Sequence, residues 1–92
     1  MDFKEKCVII NEIAQSYRID YVSNESNRKH PSPMVSFINS ILIQLNDESK
    51  RIIVNDYFEK KEVYWYLDYY QRSTYYRLKM KAVEEFWHCL HV

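Results

Sequence analysis

Residues 71–81 read QRSTYYRLKMK, with Arg72, Arg77, Lys79 and Lys81 and no acid among them. Cations at that density can meet phosphates, and an arginine can also grip two acceptors on one guanine edge. On a helix beginning near Ser73, Tyr75 and Leu78 point inward, while Arg77 and Lys81 share another face at i, i+4. Gln71, Arg72, Thr74 and Tyr76 then sit at the N-terminal end. In a helix-turn-helix, that end of the second helix enters the major groove. There an arginine suits guanine and Gln71 suits adenine. Lys79 and Lys81 would meet phosphates, joined by Ser73, Thr74 and the open N–H groups of the first turn. The competing reading of the same residues is a solvated helix face, the usual fate of such a run.

A second constellation lies just upstream. Tyr57, Phe58, Tyr64, Trp65, Tyr66, Tyr69, Tyr70, Tyr75 and Tyr76 crowd into about 20 positions. One small core cannot hold them all, so some rings must reach the surface. Tyr64, Trp65, Tyr66, Tyr69 and Tyr70 are the candidates for a protein interface, where tyrosine and tryptophan carry much of the binding energy. Exposed rings can also stack the bases of a single strand. Partly buried tyrosines with wet hydroxyls would need no partner.

The remaining reactive side chains suggest little chemistry. His30 stands in a proline-containing stretch; His88, Cys89 and His91 stand together near the C-terminus. A zinc site wants three or four convergent ligands, and this trio makes a poor chelate. Histidines at a helix C-terminus are favoured by the dipole. Glu84 and Glu85 read as a solvated pair. No nucleophile adjoins a base in a familiar spacing, so an enzyme is not expected, and neither is a cofactor. Cys7 and Cys89 sit in apolar helical patterns far apart, consistent with free buried thiols in a reducing compartment. Glycine is absent from the chain, which excludes glycine-rich phosphate loops and the dinucleotide fingerprint. It also leaves Asn, Asp or Ser to take the turns that need positive φ.

Four elements and one short piece must position these residues. Phe3, Cys7, Ile10, Ala14 and Tyr17 recur at spacings of three and four, with Ile13 beside them, predicting a helix over 3–22. Residues 23–33, with two prolines, read as a loop. Ser32 then Pro33 look like an N-cap and first helical position. Met34, Phe37, Ile38, Ile41, Leu42 and Leu45 give the helix that follows one broad apolar face. Asn46 or Asp47 caps a third helix, with Glu48 in its first turn and Ile52, Ile53, Tyr57 and Phe58 on its apolar side. A short segment, VYWYLDYY, precedes a last helix capped by Ser73. Tyr75, Leu78, Ala82, Phe86 and Leu90 form that helix's core stripe. The chain of 92 residues, 47% hydrophobic and of zero net charge, reads as one all-α domain. Its total charge gives no support to a nucleic-acid partner. Its distribution does: acids cluster over 47–68 and cations over 71–81. The opening residues lack a signal peptide, and no long uncharged apolar run follows, so a soluble cytoplasmic protein is expected.

Two stretches carry a family likeness. LNDESKRIIVNDYFEKK, from Leu45, resembles the opening of the sigma-70 region 4 helix-turn-helix. RSTYYRLKMKAVEEF, from Arg72, resembles the recognition helix of the ArpU/RinA-like phage transcriptional regulators, in Ser73, Thr74, Tyr75, Tyr76, Arg77, Lys79 and Ala82. The likeness spans about residues 34–90. It implies an all-α bundle ending in a helix-turn-helix over 34–92, and a phage- or prophage-encoded regulator that binds double-stranded DNA. Arg72, Thr74, Tyr76, Arg77 and Lys81 would face the DNA. The turn glycine usual in that pattern is missing, and Tyr64, Trp65 or Leu67 stands where a small residue is expected. Bulk there would push the two helices apart. A homodimer is expected, because one recognition helix gives a small interface and two half-sites restore affinity. The alternative is a module that binds host RNA polymerase or another host protein through the aromatic surface.

Overall fold

The computed structural model describes residues 1–23 and 32–91. Four α-helices are found among them, and no strand: α1 (Phe3–Ser23), α2 (Pro33–Gln44), α3 (Asp47–Ile53) and α4 (Arg72–Leu90). Between α3 and α4 lie a π-helical turn, Val54–Phe58, and a single 3-10 turn, Trp65–Asp68. This is the all-α bundle that the periodicity predicts, with a short segment before the last helix. The loop expected over 23–33, with His30, falls almost wholly outside the described residues. No described helix is long and apolar enough to cross a membrane.

Local signals start three of the helices. Asp2 accepts the backbone N–H of Glu5 at 2.8 Å and so caps α1. Ser32 accepts from the Val35 N–H at 3.1 Å, with Pro33 behind it in a position where its missing N–H costs nothing. Asn46, rather than Asp47, caps α3, accepting from Ser49 at 2.8 Å. Asp47 and Glu48 then lie at the positive end of the helix dipole.

The third helix ends without glycine. After the π turn the Glu59 N–H reaches back to the Val54 carbonyl at 2.7 Å. The chain then reverses through Lys60, whose φ of 49° lies in the left-handed region. The Lys61 N–H closes the reversal on the Asn55 carbonyl at 2.8 Å. A lysine therefore holds the position expected of Asn, Asp or Ser, at a cost of about 1–2 kcal/mol in backbone sterics.

The core joins Ile10 and Ala14 of α1, Ile38, Ile41 and Leu42 of α2, Ile52 and Ile53 of α3, and Tyr75, Ala82, Val83 and Phe86 of α4. Tyr57 and Phe58 enter it from the π turn, and Trp65 and Tyr66 from the 3-10 turn. On α2 the buried face is rotated from the expected one: Val35 is buried and Phe37 is exposed. Ser36, Asn39, Ser40 and Gln44 make one side of that helix polar, and Phe37 stands at its border, where periodicity alone cannot choose in or out. α4 packs chiefly on α3, and α1 lies across the π turn, α2 and α4.

Glu84 and Glu85, expected as a solvated pair, each tie α4 to another helix. Glu84 meets the Lys6 ammonium of α1 at 2.8 Å. Glu85 accepts from the Asn46 N–H at 3.0 Å, the Asn46 amide at 3.1 Å and the Ser49 hydroxyl at 2.8 Å. One carboxylate thus satisfies the start of α3 and fixes it against the middle of α4.

Candidate nucleic-acid interface

The N-terminal half of α4 carries the candidate site, and its seating depends on one carboxylate. Asp56, in the π turn, accepts from the Trp65 indole N–H at 2.7 Å and from the Tyr75 hydroxyl. The Lys79 ammonium stands 3.2 Å from the same carboxylate. The side chains of Asp56 and Lys79 are only 12% and 21% exposed. Tyr66 and Tyr75 stack nearly parallel, ring centroids 3.8 Å apart, and Trp65 meets Tyr75 edge-on at 6.0 Å. Burial first, and the Asp56 bond second, push the Tyr75 hydroxyl far above the ordinary tyrosine range. Burial likewise raises Tyr57, with its neighbour Cys7 adding to the effect. Both rings stay protonated, and Tyr75 stays a donor. Among the described residues no buried polar side-chain atom lacks a partner.

This hub corrects two expectations. Trp65 and Tyr66 are not surface residues: they are 8% and 2% exposed and belong to the core. Lys79 is not a free phosphate contact: it is paired with Asp56 and lies over the rings of Tyr57 and Tyr75 at 5.4 and 5.7 Å. Tyr75 is an inward residue and Lys79 follows it by four, so the i, i+4 rule places Lys79 on the inner edge of the helix. That signal was present in the sequence. Asp56 itself carried none, because its partners lie 9, 19 and 23 residues away.

Ser73 does not cap α4. The helix begins one residue earlier, with Gln71 in the cap position, and the Gln71 side chain makes no capping bond. The first turn contains no acid and opens on Arg72. Its leading N–H groups gain nothing from the Gln71 side chain.

The other predicted residues lie on one side of this end. Gln71, Arg72, Ser73, Tyr76, Arg77 and Lys81 are exposed, and Thr74 is half-buried. Ser73, Arg77 and Lys81 follow at i, i+4 and i+8, a single outward stripe. Among the described residues the ion pairs are Lys6–Glu84, Lys61–Glu59 and Lys79–Asp56. Arg72, Arg77 and Lys81 therefore enter none. Tyr76 leans edge-on against Tyr75 at 5.0 Å while staying 53% exposed.

The rest of the aromatic set divides. Tyr64 and Tyr69 are exposed, and Tyr70 is half-buried. The Arg51 guanidinium of α3 lies 4.9 Å from the Tyr69 ring centroid and donates to the Tyr70 hydroxyl at 3.3 Å. By sequence Arg51 belongs to the acid-rich stretch 47–68, but the seating of α3 brings it to Tyr69 and Tyr70 at the start of α4. The segment expected to supply the first helix of a helix-turn-helix is the four-residue 3-10 turn, with Tyr69, Tyr70 and Gln71 between it and α4. Both of its first two side chains are turned into the core, which suits a short turn rather than an amphipathic helix. Among the described residues no cluster of His, Cys, Asp or Glu is placed to hold a metal ion.

No family model, no curated protein and no solved structure matches this chain.

Proposed function

We propose that the protein binds double-stranded DNA through the N-terminal half of α4 and acts as a transcriptional regulator, in keeping with its resemblance to phage regulators. The observation that carries this reading is the outward stripe Ser73, Arg77 and Lys81, with Arg72 at the helix start and none of the three cations paired to an acid among the described residues. Arg72 and Arg77 have the fork geometry for a guanine edge, and Gln71 that for adenine. Lys81, Ser73 and Thr74 are placed for phosphates, as are the first-turn N–H groups. Lys79 holds the helix in place from within. The protein works as a homodimer in the cytoplasm, its two α4 helices entering successive major grooves about 34 Å apart.

The rival reading, docking on host RNA polymerase through aromatic residues, loses support because Trp65 and Tyr66, its central anchors, lie in the core.

The test is selection from a random duplex library, followed by titration of the recovered site at several salt concentrations. Arg77→Ala is expected to weaken the selected site more than unrelated sequence, by the roughly 1–3 kcal/mol of one bidentate base contact. Lys81→Ala should weaken all sequences alike and lower the salt slope by about one. No duplex binding at micromolar protein and low salt ends the reading.

A further inference from the structure

Two arginine–tyrosine pairs bracket the start of α4. Arg51 lies over Tyr69 at 4.9 Å, and Arg72 lies over Tyr64 at 5.9 Å. Tyr64 is 53% exposed and Tyr69 60% exposed. Each ring is backed by a buried one: Tyr69 leans on Trp65 at 6.1 Å, and Tyr64 meets Tyr66 edge-on at 6.4 Å. Arg51 is held a second time by the Tyr70 hydroxyl. The exposed rings are thus braced from within, and each carries a delocalised cation that among the described residues enters no ion pair.

That combination has a chemical counterpart. A nucleotide's base offers a flat π surface for a tyrosine or guanidinium plane, and its phosphate offers the charge. Paired DNA hides the faces of its bases in the stack, so the two rings have nothing to receive from an intact duplex. Unpaired nucleotides present both groups at once. The charge also chooses the occupant: the stretch from Tyr69 to Ala82 contains no acid, and the pairs adjoin the cationic stripe of α4.

We infer that Tyr64 and Tyr69, with Arg72 and Arg51, form a stacking platform for unpaired DNA bases next to the duplex, so that the protein prefers a duplex–single-strand junction to fully paired DNA. This rests on the duplex-binding reading, which supplies the neighbouring contacts. Stacking one base on an aromatic side chain is worth roughly 5- to 150-fold in affinity.

The experiment compares three fluorescently labelled DNAs of one sequence by anisotropy: a blunt duplex, the same duplex with a single-stranded overhang, and the overhang strand alone. The full chain and the double variant Tyr64→Leu/Tyr69→Leu are titrated with each. The expected result is junction binding about tenfold or more tighter than blunt-duplex binding. The double variant should lose that preference and keep its blunt-duplex affinity. Equal binding of junction and duplex by the unaltered protein overturns the inference and leaves duplex binding standing. Equal weakening of both DNAs by the variant also overturns it. Failure to bind any of the three removes the duplex reading as well. An overhang of RNA that binds more tightly than the DNA overhang overturns the assignment to DNA. A thermal melt controls for folding: both substituted rings are exposed, so the midpoint should stay near that of the unaltered protein.

Discussion

Replacing Asp56 by alanine strands three groups at once: the Trp65 N–H, the Tyr75 O–H and the Lys79 ammonium. Hydrogen bonds to a charged acceptor are each worth about 1.5–3 kcal/mol, so, taken at the lower end, the two donors alone set a loss of roughly 3 kcal/mol. Lys79 adds less, because its side chain is 21% exposed and water can reach the ammonium. Against a typical domain stability of about 5–15 kcal/mol, this is a large fraction. At about 4–8 °C per kcal/mol for a domain of this size, the melting midpoint should fall by roughly 12–24 °C. Asp56→Asn keeps the volume and one acceptor, so its loss should be intermediate. The assay is urea denaturation followed by tryptophan fluorescence and by near-ultraviolet circular dichroism, which reports the packing of Trp65 and its neighbouring rings. A double-mutant cycle with Lys79→Met separates the stranded charge from the stranded donors. Coupling between the two sites should exceed about 0.5 kcal/mol, the usual limit of additivity for independent sites. A loss below about 1 kcal/mol for Asp56→Ala, with an additive cycle, would refute the hub.

Raising the pH should weaken the fold only above the ordinary tyrosine range. The folded state holds Tyr57 and Tyr75 protonated, whereas the unfolded chain releases their protons near pH 10. The unfolded state then binds fewer protons, so stability is fully present below about pH 10 and falls by about 1.4 kcal/mol per pH unit for each ring as pH rises. Tyr75→Phe should remove about half of that slope in alkaline denaturation; an unchanged slope contradicts the assignment. Lys60→Asn relieves the left-handed backbone without adding the chain entropy of glycine, and should raise stability by up to about 1 kcal/mol in urea titrations. Gln71→Asp supplies α4 with the missing cap and should add about 0.5–1 kcal/mol. The same change should weaken duplex binding measurably in a gel shift, because the new carboxylate faces the phosphates; tighter binding would count against the site.

What could be read in the sequence was mostly local. Ser32–Pro33 and Asn46 announce helix starts because a cap involves neighbours three residues apart. The stripe from Tyr75 to Phe86 is legible because one helix turns against one core. Phe37 departs from expectation because it borders the polar side of α2, formed by Ser36, Asn39, Ser40 and Gln44, and only the neighbours of α2 decide whether such a position turns inward. The aromatic crowd showed that some rings must be exposed, but not which. That choice falls to Asp56, whose indole and phenol partners are distant in sequence. Ser73 looked like a cap by residue type; the helix starts a residue before it, and Ser73 joins the outward stripe instead. Arg72, Arg77 and Lys81 are exposed, as their helical spacing predicts, whereas Lys79 is paired with Asp56, and its spacing from Tyr75 already puts it inward.

The end of α4 runs against its local chemistry. A cation at the first helical position meets the positive end of the helix dipole, and no acid or cap offsets it there. Such a placement costs the free protein about 0.3–1 kcal/mol. Elsewhere the chain follows local preference closely: α1, α2 and α3 all have side-chain caps, and two of the three begin with acids. A local rule broken at one helix end, in a protein that obeys it at the other three, is the pattern expected of a functional site. The DNA phosphates of the proposed function would supply the anion that this helix end lacks, beside Arg77 and Lys81. An acidic side chain of the same protein could offset such a charge, and Asp56 already reaches Tyr75 and Lys79 of α4. It is held inward by Trp65, Tyr75 and Lys79 instead. The hub therefore does two things: it seats α4 through Tyr75 and Lys79, and it turns the Asp56 carboxylate inward, away from the exposed cations of α4.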